Sequence, residues 1–218
     1  MTTSELTELL AVGLQETAWM VFVSTVLTAV GGLLLGILLV LTAPGGMLSA
    51  PAVSSVLGFV VNVARSLPFI ILLVAVIPFT RAVVGTTIGT DAAIVPLTIG
   101  AIPFFARIVE AALREVPPDV VAAATAMGAT RRQIVGKVLL REARPGLVAG
   151  LTITVIALVG YSAMAGVVGG GGLGDLAIRY GYQRFDTQVM VATVVVLVVF
   201  VQLVQMAGDL LVRRLSHR

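Results

Sequence analysis

The sequence predicts an all-α membrane protein with five transmembrane helices in one domain covering residues 1–218, and three observations carry that reading. Hydrophobic residues make up 58% of the chain and charged residues 11%, where soluble domains carry roughly 25% charge. Residues 17–64 hold no charged side chain at all. One long polar interruption, 116–146, separates the apolar runs and holds five of the 14 basic residues.

The elements follow in order. Residues 1–16 carry Glu5, Glu8 and Glu16 and no basic residue. A signal peptide starts with a basic segment, so cleavage is not expected, and an acidic amphipathic N-terminus suits the outer face. The first span is 17–42; the 23 residues from Trp19 to Leu41 rise about 35 Å, enough to cross the hydrocarbon core. Pro44-Gly45-Gly46 ends it. Inside it, Gly32-x-x-x-Gly36 either admits a neighbouring helix closely or is ordinary glycine filler.

The second span, 53–80, contains Arg65. This arginine either snorkels to an interface or faces the bundle interior with a partner. Ser66-Leu67-Pro68 directly after it marks a kink. The third span, 92–115, carries Pro96 and Pro103, which are expected to bend it. From Arg107 it extends as an amphipathic helix. The fourth span is 146–168, a glycine-rich turn and a short amphipathic helix follow, and the fifth span is 188–211. Arg213, Arg214, His217 and Arg218 form a basic tail.

The polar stretch 116–145 has its own structure. Pro117-Pro118 closes the preceding helix. Residues 120–127 form a short alanine-rich helix, with Gly128 suited to the left-handed position after its end. Thr130-Arg131-Arg132-Gln133 has capping-box spacing, so a second helix starts there. Ile134, Val135, Val138 and Leu139 form its apolar side. Two short helices hinged at a glycine between membrane spans constitute a docking element. Its placement inside puts seven basic residues of 107–144 and three of the tail in the cytoplasm, against Arg81, Arg179 and Arg184 outside. The N-terminus is then external and the C-terminus cytoplasmic.

Several chemistries are excluded. There is no cysteine, and the one histidine, His217, lies in the tail; thiolate metal sites, cysteine nucleophiles and a Ser-His-Asp triad are lacking. Gly169-x-Gly171-x-x-Gly174 matches a dinucleotide fingerprint by spacing alone. A membrane span precedes it instead of a strand, and Val194 stands where an acidic residue belongs. No P-loop Lys-Ser/Thr occurs, so ATP chemistry belongs to another polypeptide. The glycines are better read as a flexible turn at the outer end of a pore. An intramembrane enzyme lacks its nucleophile or metal cluster here, and a channel leaves the docking element unexplained.

A transporter needs polar groups or gaps within its apolar helices. Asn62, Arg65, Tyr161, Ser162 and Met164 are the candidates for a substrate pathway. Tyr161 and Ser162 offer hydrogen bonds, and Met164 a soft, adaptable surface. The alternative is that hydroxyls bond their own helix backbone and Met164 packs between helices.

The docking stretch resembles the EAA loop of bacterial ABC importer permeases, whose pattern is Glu-Ala-Ala, three residues, Gly, nine residues, Ile-x-Leu-Pro. Ala122-Ala123-Ala124, Gly128 and Val138-Leu139-Leu140-Arg141 stand in that register, with Ala122 in place of Glu and Arg141 in place of Pro. From Trp19 onward, blocks such as VNVARSLPFIILL, AAIVPLTIGAIPFFARIVEAAL and LVGYSAMAGVVGGGGLGDLAIRYGY are similar to the permease subunits of methionine ABC importers. This resemblance implies a type I ABC importer permease fold with a cytoplasmic coupling helix, a homodimer in a bacterial inner membrane, and no catalytic residues. It implies Ala122, Ala123, Ala124, Met127, Gly128, Ala129, Thr130, Arg131 and Arg132 as the surface that couples to an ABC ATPase dimer. ATP and Mg belong to that partner, with no cofactor or metal on this chain. An extracytoplasmic methionine-binding lipoprotein is the other partner, and nucleic acid is not one. The implied cargo is L-methionine and also D-methionine; the runner-up is another small amino acid or solute.

Overall fold

The computed structural model describes residues 3–216, and every regular element in that range is helical. His217 and Arg218 of the basic tail lie outside the described residues. Helix α1 (Thr3–Thr42) has 40 residues and is about 60 Å long, roughly twice the hydrocarbon thickness. The acidic N-terminal segment and the first span are therefore one continuous rod.

After the Pro44-Gly45-Gly46 break come α2 (Pro51–Ser66), α3 (Phe69–Ala75) and α4 (Ile77–Val84). The sequence reading made 53–80 a single span; the structure breaks it, with α2 and α3 bent by 104°. The break falls at Leu67-Pro68, where Leu67 is extended (φ −78°, ψ 127°), the conformation that a following proline imposes. Among the described residues, four helices are long and apolar enough to cross a membrane, and five spans result if the bent pair counts as one.

Helix α5 (Thr90–Arg114) keeps Pro96 and Pro103 inside one continuous helix. It is the most buried of the long helices and packs along α1. The glycines of α1 make that contact possible: a Cβ on Gly36 would meet the Val109 side chain and lie 2.7 Å from the Ala106 carbonyl. A Cβ on Gly32 would meet Phe105. The GxxxG pair is thus a packing surface, not filler.

Helix α6 (Pro118–Ala126) is followed by a second helical segment made of α7 (Arg131–Gln133), a π-helical stretch Ile134–Leu139, and α8 (Leu140–Glu142). Helix α9 (Arg144–Gly166) begins after Ala143. Helix α10 (Gly172–Leu176) and a π-helical stretch Ala177–Tyr182 lead to α11 (Thr187–Ser216). Gly208 of α11 packs directly on Thr152 of α9, so these two helices run together with the start of α9 and the end of α11 at the same side.

Candidate functional site

The 116–145 stretch is built as its sequence dictates. Pro118 stands at the start of α6, where its missing N–H costs nothing. At the other end Gly128 adopts φ +80°. Its N–H donates to the Thr125 carbonyl at 2.9 Å and the Ala129 N–H to Ala124 at 3.1 Å, which is the Schellman pairing. Thr130 then caps α7: its backbone N–H donates to Gln133 Oε1 at 2.8 Å and its hydroxyl accepts from the Gln133 N–H.

The π-helical turn has a packing consequence. It brings Ile134 and Leu139, five residues apart, to one buried face, with Val135 and Val138 partly buried beside them. That face belongs to the same buried cluster as Val109 and Leu113 of α5 and Val116 just beyond its end. The two short helices thus share a buried cluster with a membrane helix.

What remains exposed is Ala122, Ala123, Met127, Gly128, Thr130, Arg131 and Arg132; Met127 is 82% exposed. Ala129 is half-buried. Ala124 departs from expectation: it is buried at 6% exposure inside the same apolar cluster and is not part of the outer surface. On a helix, positions 122 and 123 point about 100–200° away from 124, so a three-alanine run cannot face one way.

The pathway candidates separate. Tyr161 is half-buried and stacks on Phe69, centroids 4.5 Å apart and planes 7° from parallel. The pair borders a cavity of about 240 Å³ at the α2–α3 bend, also lined by Arg65, Leu67, Gly100 and Phe104. Arg65 is exposed at its rim and forms no ion pair among the described residues. Met164, 46% exposed, shares an open stripe of α9 with Gly160 and Val167.

Ser162 does not join them. It is 2% exposed and donates to the Val159 carbonyl at 2.8 Å. Thr152 and Thr154 likewise donate to carbonyls four residues back. Asn62 does not line the cavity; its Oδ1 accepts from Arg107 Nη2 at 3.0 Å.

That contact belongs to a network the sequence reading missed. Arg107 Nη2 also donates to the Gly58 carbonyl at 3.0 Å, tying α5 to α2. Its Nη1 lies 2.6 Å from Glu110, which also holds Arg114 at 2.8 Å. The i, i+3 and i, i+4 spacing of Arg107, Glu110 and Arg114 was the available signal.

The glycine-rich turn is tied to α1 by hydrogen bonds. Gly169, Gly171 and Gly172 take positive φ, which side chains disfavour. The Gly172 N–H donates to Glu16 Oε2 at 2.7 Å and the Leu173 N–H to Thr17 Oγ1 at 2.9 Å. All five residues of α10 are buried, while Arg179 and Tyr182 in the π-helical stretch that continues it are exposed. Asp175 in α10 pairs with Arg179 at 2.7 Å. Burial raises its carboxyl above the ordinary range; Arg179 opposes this and Glu16 adds to it.

The model of the binding-protein-dependent transport system inner membrane component matches residues 32–218. The chain belongs to this family. It is a permease subunit of the inner membrane and not an enzyme. A probable D-methionine transport system permease protein of Vibrio cholerae is 54% identical over 211 residues, covering 97% of this chain and 94% of that one. The methionine import system permease protein of Bacillus subtilis is 45% identical over 181 residues, covering 83% and 82%. Among solved structures, a chain of the MetNI methionine ABC transporter in an inward-facing conformation superposes with a TM-score of 0.97 at 52% identity over 100% of both chains. An amino acid ABC transporter chain at 20% identity and a TM-score of 0.79 shares the fold. The permease has the type I ABC importer fold.

Proposed function

We propose that this permease carries methionine into the cytoplasm as a homodimer, driven by a separate ABC ATPase dimer and fed by an extracytoplasmic binding protein. The observation that carries the mechanism is the docking element. Ala122 and Ala123 on α6 and Met127 just past its end are exposed, while Ala124, Ile134 and Leu139 are buried in one cluster with Val109 and Leu113 of α5. The small side chains let a partner approach closely, and Arg131 and Arg132 suit acidic residues on it. ATP and Mg on that partner would supply the energy. ATPase closure would then move α6 and, through the buried contacts, the span to which it is clamped.

The methionine assignment is drawn from the relatives' names and fits the cavity. Phe69 and Tyr161 offer an apolar and aromatic wall to a thioether, and Arg65 at the rim suits a carboxylate. The docking element and the tail lie inside and the N-terminus outside, as the distribution of arginine favours. The 116–145 loop and five spans make one membrane domain.

The test is uptake of labelled L-methionine into proteoliposomes that contain the permease with its co-encoded ATPase and binding protein. ATP-dependent accumulation is expected. Stimulated ATP hydrolysis without methionine accumulation keeps the coupling reading and overturns the cargo.

A further inference from the structure

The start of α9 and the end of α11 enclose a cleft of about 390 Å³, lined by Arg141, Glu142, Arg144, Pro145 and Arg214. None of these three arginines forms an ion pair or a side-chain hydrogen bond among the described residues. Three arginines line it against a single carboxylate, Glu142, which leaves the cleft with an excess of positive charge. The 23-residue α9 adds the positive end of its backbone dipole. Such a cleft suits an anion with oxygen acceptors, the chemistry of a phosphate.

A second feature says which phosphate. Leu203, Met206 and Leu210 lie at one-face spacing on α11 and are 59%, 59% and 56% exposed. One turn past Leu210 the same face reaches Arg214. The cleft therefore ends an uncovered apolar stripe on a membrane-spanning helix, at the level where spans meet water. A free phosphate or nucleotide would use the arginines and leave the stripe bare; a phospholipid uses both.

We propose that this cleft is a binding site for an anionic phospholipid, its phosphate held by Arg141, Arg144 and Arg214 and an acyl chain laid along Leu210, Met206 and Leu203. Basic pockets between helix ends are where anionic headgroups are held against a membrane protein. The site is remote from the α2–α3 cavity, and the proposal does not depend on what the permease transports. Its role is to pin the α8–α9 junction, and hence the docking element, at the membrane surface.

The test is native mass spectrometry of the delipidated full-length permease titrated with phosphatidylglycerol or phosphatidylethanolamine. Phosphatidylglycerol is expected to bind about tenfold more tightly, since each basic residue near the surface contributes to attraction of an anionic lipid. The triple variant Arg141→Gln, Arg144→Gln, Arg214→Gln is expected to lose that preference. The triple lysine variant, which preserves charge, is expected to keep most of it, and Arg213→Gln, outside the cleft, to keep all of it. Equal binding of the two lipids overturns the proposal, as does a preference that survives in the glutamine variant. Displacement of the lipid by millimolar inorganic phosphate also overturns it, because the cleft would then be a free-anion site.

Discussion

The Tyr161 ring lies flat against Phe69, 4.5 Å between centroids, and this stack joins α9 to the first residue of α3 after the α2–α3 bend. The bend exists because Pro68 follows Leu67, and the stack holds its outer arm against the bundle. A cavity bordered by the pair is therefore shaped by a helix break, the usual way in which a transporter opens polar and apolar surface inside a membrane. Tyr161→Ala removes the stack and is expected to lower methionine uptake about tenfold, whereas Tyr161→Phe keeps the ring and retains most of it. Initial uptake rates in proteoliposomes distinguish the two.

The contrast between Met164 and Ser162 gives a cleaner test, because the chain has no cysteine of its own. Met164 is 46% exposed and Ser162 only 2%. A cysteine at 164 is expected to react with a small charged thiol reagent at least about tenfold faster than one at 162, since reaction needs an accessible thiolate. Equal rates would show that α9 is rotated from the orientation described.

Gly128 ends α6 at φ +80° with open space around it: a Cβ would meet nothing within 4 Å. The cost of alanine there is conformational alone, about 1–2 kcal/mol. Asn and Asp tolerate this conformation better than alanine, so Gly128→Asp tests the docking surface more than the fold. Gly128→Asp is expected to remain in the membrane at normal abundance and to lose ATP-driven uptake; unimpaired uptake would remove Gly128 from the coupling surface.

Part of this fold is legible in the sequence and part is not. Local chemistry was legible. Gly128, the Thr130–Gln133 capping box and the Leu67-Pro68 break are set by residues within a few positions of one another. Side chains whose partners are distant in sequence were not. Glu16 caps Gly172 from 156 positions away, and Arg107 reaches Gly58 across 49. Nothing in the glycine run itself signals that a carboxylate and a threonine of α1 will accept its hydrogen bonds. Ala124 was misplaced for a different reason: helix periodicity turns it inward, but only the α5 neighbours say which way inward is.

Glu110 is the anchor of the α2–α5 tie, with its side chain 11% exposed and an arginine on each oxygen. Glu110→Ala leaves Arg107 half-sequestered without its carboxylate. Breaking a buried pair costs about 3–5 kcal/mol, and the 25% and 56% exposure of the two arginine side chains brings the expected loss to about 2 kcal/mol. Glu110→Gln is expected to cost less, because its one amide oxygen still accepts from one arginine, while the amide NH2, a donor, leaves the other without an acceptor. Thermal unfolding in detergent ranks the two.

Gly174 and Gly160 predict opposite outcomes for one substitution. At Gly174 an added Cβ would sit 2.5 Å from both the Cα and the carbonyl oxygen of Ala163, and backbone cannot move aside as a flexible side-chain end can. The reciprocal close approach occurs at Gly166, whose Cβ would collide with the Asp175 backbone nitrogen. Gly174→Ala therefore forces α10 away from α9 and is expected to destabilise by about 1–3 kcal/mol. It should also loosen the hydrogen bonds that Gly172 and Leu173 give to Glu16 and Thr17. At Gly160 nothing lies within 4 Å of the new Cβ, and the residue is mid-helix. Gly160→Ala there is expected to stabilise by roughly 0.5–1 kcal/mol through the smaller entropy loss on helix formation. The two melting temperatures should move in opposite directions from the parent; a Gly174→Ala protein as stable as the parent would mean that α10 is not held in the close crossing described.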